Sequence, residues 1–337
     1  AIPQKWAARF FTIWTGQAFS LFGSQLVQFA LVWWLAQKSG SATILAIATL
    51  VGMLPQIVFG PFAGALVDRW NRRLILIIAD SSIALSTLLL VWLFATGRAE
   101  IWHVYAILAI RALGAAFHYP AMVASTPLMV PDEQLTRING LNQSLQGLMA
   151  LVAPPVGAFL ITVMPTQGVL LIDVGTAMLA VLPLLFLSIP QPKRNPSISQ
   201  EKPSLLQDVR EGINYIRRWP GLVMILLIAV LLNFLLTPTG SLMPLLITKH
   251  FGKGALEFGL TDSAWGLGAI AGGILLGVGG GFRRKVVTAF MGLTGIGLGV
   301  MLVAIAPSNG FLLALAAMAF VGFMNSMANG PLGALTQ

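Results

Sequence analysis

The sequence predicts an all-α polytopic membrane protein, and three observations carry that expectation. Hydrophobic residues make up 57% of the chain and charged residues only 9%, whereas soluble domains carry roughly 25% charged residues. Apolar runs long enough to cross a hydrocarbon core of about 30 Å as a helix, which takes about 20 residues, recur along the whole chain. No run shows the alternation of an outer-membrane strand, so backbone polar groups must be satisfied within helices.

Ten spans follow from the apolar runs between charged or Gly/Pro-rich breaks. The first, 9–36, is too long and too polar for a cleaved signal peptide and is expected to stay in the protein. After Lys38 comes 43–66. A tight turn of one acid and three arginines, Gly64-Ala-Leu-Val-Asp68-Arg69-Trp-Asn-Arg72-Arg73, then separates it from 74–96. Arg98 breaks the chain before 102–128, the segment Val130–Arg137 precedes 138–163, and 167–189 completes six spans. Gln191–Arg218 is a long hydrophilic stretch with Pro192, Pro196, Pro203 and six basic residues. Within it, Ser204–Ile216 has apolar residues at helical spacing and reads as an amphipathic helix on the membrane surface. The remaining spans are 219–247, 256–281, 286–306 and 310–335. The expected organisation is therefore a six-span bundle over 1–190, a linker over 191–218 and a second bundle over 219–337.

Orientation follows from the loops, because basic residues are retained on the cytoplasmic side. With the N-terminus inside, that side holds Lys5, Arg9, Arg69, Arg72, Arg73, Arg137, Lys193, Arg194, Lys202, Arg210, Arg217, Arg218, Arg283, Arg284 and Lys285. The other side holds only Lys38, Arg98, Lys249 and Lys253. The net charge of +9 is thus a matter of topology and anionic lipid rather than of nucleic acid. The location expected is the cell membrane, inner or plasma, crossed many times with a cytoplasmic N-terminus. The absence of cysteine removes disulfides, thiolate metal sites and cysteine nucleophiles. His103, His118 and His250 form no cluster at metal-ligand spacing, and no serine stands in a nucleophile motif. The glycine run at 277–281 lacks the Lys-Ser/Thr of a nucleotide loop, so an ion gradient rather than ATP is the expected energy source. An enzyme, a metal and a cofactor are not expected.

Polar side chains inside spans are costly and point to a pathway. Gln17, Ser20, Ser24 and Gln28 share one face of span one; Arg111, Gly114, Ala115, His118 and Met122 share one of span four. Asn139, Asn142, Gln143 and Gln146 do so in span five, and Asn233 and Thr237 lead span seven into Pro238, Gly240 and Pro244. These half-polar helices would line a water-accessible substrate cavity, or would serve helix packing and hydrogen bonding alone. Asp80, Arg111 and Asp173 are the charged residues singled out within spans. Arg111 needs a carboxylate or span-end carbonyls, while Asp80 and Asp173 are candidates for carrying a coupling proton. Asp80 has the alternative task of anchoring the nearby turn arginines. Trp6, Trp33, Trp34, Trp70 and Trp102 are placed as interfacial belt residues.

Gly64, Asp68, Arg69, Arg72 and Arg73, together with Arg111-Ala-Leu-Gly114-Ala-Ala, resemble the signatures of the major facilitator superfamily of secondary transporters. Asp68–Arg73 followed by Ile-Ile-Ala-Asp80, Phe117-His118-Tyr-Pro120-Ala, and Val130-Pro-Asp132-Glu-Gln-Leu-Thr136-Arg137-Ile-Asn139-Gly resemble its macrolide-efflux branch. Gly277-Val-Gly-Gly-Gly-Phe-Arg283-Arg284-Lys285 reads as a degenerate second copy of the first turn, without the acid. The resemblance implies the major facilitator fold, two six-helix bundles of which the second is incomplete here at about ten spans. It implies a proton-driven exporter of amphiphilic drugs, macrolide or multidrug, working by alternating access, with protons, a small amphiphile and membrane lipid as partners. It also implies a gating role for Gly64, Asp68, Arg69, Arg72 and Arg73, closing the cytoplasmic side against a helix of the other bundle. One departure is Ala153-Pro154-Pro155-Val-Gly157-Ala, where such exporters carry Gly-Pro-x-x-Gly-Gly. Export or flipping of an endogenous amphiphile such as a siderophore or lysolipid, and a non-transporting scaffold or receptor, are the alternatives.

Overall fold

The computed structural model describes residues 6–191, 214, 216–279 and 285–335. The described residues form ten long α-helices: α1 Trp6–Ser39, α2 Ala42–Arg69, α3 Arg72–Ala95, α4 Ile101–Met129, α5 Asp132–Val163, α6 Thr166–Phe186, α7 Pro220–Leu245, α8 Ala255–Gly279, α9 Lys285–Ile305 and α10 Phe311–Leu335. Nine of them are long and apolar enough among the described residues to cross a membrane. Most of the amphipathic stretch expected at Ser204–Ile216, and Arg283 and Arg284 of the second basic turn, lie outside the described residues.

Two boundaries differ from expectation for local reasons. The first turn is shorter than its charges imply: Asp68 and Arg69 end α2, Arg72 and Arg73 begin α3, and only Trp70 and Asn71 lie between. Asn71 makes this possible, since its side chain accepts from the N–H groups of Arg73 and Leu74 and caps α3. α5 starts at Asp132 rather than at 138, because Asp132 and Glu133 in its first turn complement the positive end of the helix dipole. Charges that mark the end of a span thus continue the helix beyond it. At the other end of α3, Gly97 has φ +69°, and the N–H groups of Gly97 and Arg98 return to the carbonyls of Phe94 and Leu93, a two-bond C-cap. His103 is accounted for locally, its Nδ1 accepting from the Glu100 N–H at 3.1 Å where α4 begins.

The helices gather into two compact units. The first contains residues up to Ser24, Ala42–Gly140 and Leu170–Ser241. Its core joins Phe10 and Ile13 of α1, Val67 of α2, Ile75 and Leu76 of α3, Ala121 of α4 and Leu184 of α6. The second contains Gln25–Ser41, Leu141–Val169 and the chain from Leu242 onward. There Phe258 of α8 stacks on Phe29 and Trp33 of α1, at centroid distances of 4.9 and 6.0 Å. Trp33 is therefore a core residue, 7% exposed, and not the belt residue expected; Trp70 and Trp102, 57% and 64% exposed, remain on the surface. α7 ends in a π-helical turn, Leu246–His250. From it Lys249 Nζ donates to the Gly40 carbonyl at 2.6 Å, where α1 ends, and His250 Nε2 meets the Ala306 carbonyl at 2.8 Å.

Inside the second unit the helices approach by omitting side chains. A Cβ added at Gly268 of α8 would stand 1.8 Å from the Ala319 carbonyl oxygen of α10, and one at Gly322 of α10 would stand 1.9 Å from that of Trp265. Such small-residue contacts let apolar helices associate where no hydrophobic driving force separates helix from lipid. Gly322→Val is expected to lower stability by about 1–3 kcal/mol, the usual cost of overpacking. Gly273→Ala, whose added Cβ meets nothing within 4 Å, should leave it unchanged. Thermal unfolding of the two variants in detergent checks the difference.

Candidate functional site

The first unit encloses two layers of polar side chains stacked along α1, α3 and α4. Three pairs build them, Gln17 and Ser24 on α1, Asp80 and Thr87 on α3, and Arg111 and His118 on α4. Each pair is separated by seven residues, two helical turns, so each keeps one face and spans about 10 Å. α6 contributes a fourth member to one layer, Asp173, which is fully buried.

In that layer Asp173 is shared by three donors. Arg111 Nη1 reaches Oδ2 at 2.5 Å, Thr87 Oγ1 donates to Oδ2 at 3.2 Å, and Ser24 Oγ donates to Oδ1 at 3.1 Å. Arg111 also donates to Thr87 Oγ1 at 2.6 Å and to the Ser24 carbonyl at 3.4 Å. Both ions are thus paired and hydrogen-bonded, the condition under which a low-dielectric interior tolerates them. Close backbones make it possible: a Cβ at Gly23 of α1 would lie 2.2 Å from Thr176 Oγ1 and 3.1 Å from the Asp173 Cα, and one at Gly16, two turns earlier, 2.4 Å from the Leu179 carbonyl oxygen. Only with α1 this near α6 does the short side chain of Ser24 reach the carboxylate.

The other layer is Asp80 with Gln17 and His118. Gln17 Nε2 donates to Asp80 Oδ2 at 2.8 Å, and Gln17 Oε1 lies 2.6 Å from His118 Nε2, which is also 3.4 Å from Asp80 Oδ1. With Gln17 oriented this way its carbonyl needs a donor, so His118 carries its proton on Nε2. All three side chains are buried. Asp80 is therefore held by Gln17 and His118, and the alternative in which it anchors the turn arginines finds no support in its contacts.

The arginines have other partners. Arg72, 8% exposed, donates to the Ala124 carbonyl of α4 at 2.8 Å and to Asp68 Oδ1 at 3.2 Å. Arg73 donates to the Leu184 and Leu185 carbonyls at the end of α6, at 2.5 and 2.7 Å. Arg73 thus meets the negative end of α6, where orphan carbonyls need donors, and Arg72 reaches the last turns of α4. Arg69 and Gly64 are half-buried, while the Asp68 side chain is 73% exposed.

The remaining sequence candidates are not part of these layers. Gln28, Asn139, Gln143, Gln146 and Asn233 are exposed and Asn142 is half-buried; Asn139 belongs to the first unit, Asn142, Gln143 and Gln146 to the second. Gln17 and His118, placed by the sequence reading on a cavity wall, are enclosed and engaged with Asp80. Two residues escaped that reading. Thr87, the hydroxyl between Arg111 and Asp173, was findable from its seven-residue offset from Asp80, matching Gln17–Ser24 and Arg111–His118. Asp262 lies inside the eighth span, between Thr261 and Ser263 in an otherwise apolar, glycine-rich run. Among the described residues no group of histidines and acids could hold a metal ion.

Comparison with known proteins adds a family. A profile described as Major Facilitator Superfamily matches residues 13–337. Macrolide efflux protein A of Streptococcus pyogenes is 34% identical over 333 residues, covering 99% of this chain and 82% of that relative. The protein of the same name from Enterococcus faecalis is 33% identical over 298 residues, 88% of this chain and 91% of its own length. The multidrug efflux pump Tap of Mycolicibacterium fortuitum is 24% identical over 313 residues, 90% of this chain and 74% of the pump. Among solved structures, a bacterial homologue of the iron transporter ferroportin in its inward-facing state aligns with a TM-score of 0.67, at 14% identity and covering 97% of this chain and 83% of that one. A bacterial homologue of the lysosomal transporter Spinster aligns at 0.62, with 16% identity and 96% and 75% coverage. Both show a shared fold.

The buried ion pair sets a test of its own. Arg111→Gln leaves the Asp173 carboxylate without its cation, and breaking a buried pair on one side is expected to cost about 3–5 kcal/mol. Arg111→Met combined with Asp173→Leu, which removes both charges, should recover most of that loss. Thermal unfolding of the single and double variants in detergent gives the comparison.

Proposed function

This chain belongs to the Major Facilitator Superfamily, and from that premise we propose that it is a proton-driven exporter of amphiphilic drugs of the macrolide or multidrug type. The observation that carries the reading is the likeness, at 34% identity over almost the whole chain, to a protein named for macrolide efflux. The chain is a multi-pass membrane transporter and not an enzyme. In the proposed arrangement residues 1–190 and 219–337 form the two bundles, 191–218 connects them on the cytoplasmic side, and they alternate access to a site between them. The chain's N-terminus is inside.

The buried layers supply a proton carrier for that cycle. With His118 neutral, Asp80, His118, Arg111 and Asp173 together hold one uncompensated negative charge, and one added proton brings the set to neutrality. Asp173 is committed to Arg111, Thr87 and Ser24. Among the described residues Asp80 has an amide and an imidazole as its partners, so it is the carboxylate free to trade its charge for a proton. Arg111 fixes the charge of the neighbouring layer and so sets the balance.

The α2–α3 turn supplies the gate. Its arginines hold the ends of α4 and α6, while the exposed carboxylate of Asp68 is left to accept from the N–H groups of a helix start in the other bundle when the cytoplasmic side closes. Such a contact exists in one state alone and therefore favours it.

Proteoliposomes carrying the full chain, with an imposed pH gradient, test the reading. Wild type should move a macrolide and a cationic dye against their gradients. Asp80→Asn should keep downhill exchange but lose the response to pH, and Asp68→Asn should slow turnover without abolishing coupling. A wild type that reconstitutes folded and shows no gradient-dependent flux of either compound overturns the proposal.

A further inference from the structure

Among the described residues, Asp262 has no partner. It lies two turns into α8, about 10 Å from the helix start, within the membrane-spanning part of that helix. Asp80 and Asp173 each accept from at least one side chain, and Glu257 of the same helix accepts from the Gly254 N–H at 3.0 Å. Asp262, by contrast, makes no hydrogen bond or ion pair among the described residues. Among the described residues, no ion pair reaches it from the elements packed around α8 either. α5 from Leu141 onward and α10 contain no charged residue. Lys38 is exposed near the end of α1, Lys253 is exposed in the turn before α8, Lys249 is spent on the Gly40 carbonyl and His250 on that of Ala306.

The direction in which Asp262 looks follows from its neighbours' contacts. On one side, Gly259, Ser263 and Gly266 pack against α5: a Cβ at Gly259 would be 2.8 Å from the Pro154 carbonyl oxygen, one at Gly266 would be 3.3 Å from that of Ala150, and Ser263 Oγ donates to the Leu151 carbonyl at 3.0 Å. On the opposite side Gly268 and Gly272 meet Ala319 and Phe323 of α10. Helical arithmetic at 100° per residue sets Asp262 between these two sides, on the face it shares with Phe258 and Trp265. Phe258 is the ring stacked with Phe29 and Trp33 of α1. Asp262 as a residue is half-buried, its carboxylate lying toward the interior. It shares a helix face with two aromatic residues, Phe258 and Trp265.

One anion inside a membrane span, without a protein cation and flanked by aromatic rings, is the chemistry that receives an organic cation. The carboxylate supplies the charge, and ring faces add cation–π attraction and apolar contact. We infer that Asp262 is the recognition site in the second unit for the positively charged group, a protonated amine or an onium, of the amphiphile that the protein exports. The inference rests on the exporter reading above for its substrate, but it assigns a residue and a charge which that reading does not. Asp80 trades the proton in the first unit, and Asp262 holds the cargo in the second.

The probe is a pair of ions of the same shape and opposite charge, tetraphenylphosphonium and tetraphenylborate, in equilibrium binding to the full chain in nanodiscs. Wild type should bind the phosphonium and discriminate against the borate. Asp262→Asn should weaken phosphonium binding about tenfold or more, equivalent to about 1.4 kcal/mol. Asp262→Glu should retain it within a few fold. Removing an unpaired acid does not harm the fold, so Asp262→Asn should melt no lower than wild type. Wild type that ignores the phosphonium, or Asp262→Asn that binds it unchanged, overturns the inference. Unchanged binding with a lost response to a pH gradient also overturns it, by assigning Asp262 to the proton. Phosphonium binding lost in Asp262→Asn, in a protein that shows no gradient-dependent flux, leaves the cation site standing while the exporter reading falls.

Discussion

The Arg111–Asp173 ion pair lies where water does not reach, and each ion there carries a desolvation cost of several kcal/mol that only close, well-directed partners offset. That requirement organises the first unit. α4 must present Arg111, α6 must present Asp173, α3 must place Thr87 between them, and α1 must come near enough for Ser24 to reach the free carboxylate oxygen. Gly16 and Gly23 are the consequence on α1, because any side chain there would displace α6. The second layer inherits the same helix faces and the same spacing, so Gln17, Asp80 and His118 meet without a separate device to align them.

The two units solve helix packing by the same means but to different ends. In the second, Gly268 and Gly322 bring α8 and α10 together, and association rests on van der Waals contact with one hydrogen bond from Ser326 Oγ to the Ala269 carbonyl at 2.7 Å. In the first, glycine at the α1–α6 contact lets hydrogen-bonding groups reach one another. The first unit therefore owes more of its specificity to paired polar groups and the second more to shape.

Much of the fold was legible in the sequence because a membrane admits few solutions. Ten apolar runs became ten helices, and the misplaced boundaries lay at Asp68, Arg69 and Asp132, where charge marks the end of the span but not the end of the helix. Periodicity found the right faces on α1 and α4. It could not tell a face that lines water from one that grips a neighbouring carboxylate, since both are written with Gln, Ser and His. Gln17 and His118 illustrate that ambiguity, being engaged with Asp80 and with each other. The stripe from Asn139 to Gln146 stayed exposed. Trp33 misled for a similar reason: a tryptophan near a span end suits the interface equally whether it faces lipid or, as here, the ring of Phe258. Asp262 needed no periodicity at all, only the observation that an acid interrupted an apolar span.

The two-turn offset shared by α1, α3 and α4 has a mechanical meaning. A helix that slid by one residue past its neighbours would move about 1.5 Å and turn by 100°. Both layers would come apart together. The pair of layers thus works as two pins through the same set of rods: one pin permits pivoting, two permit neither sliding nor rotation. Motion of these three helices where the layers join them is confined to displacement as one body, and the shear that loosely packed helices allow is closed to them; α6, joined through Asp173 alone, is pinned once.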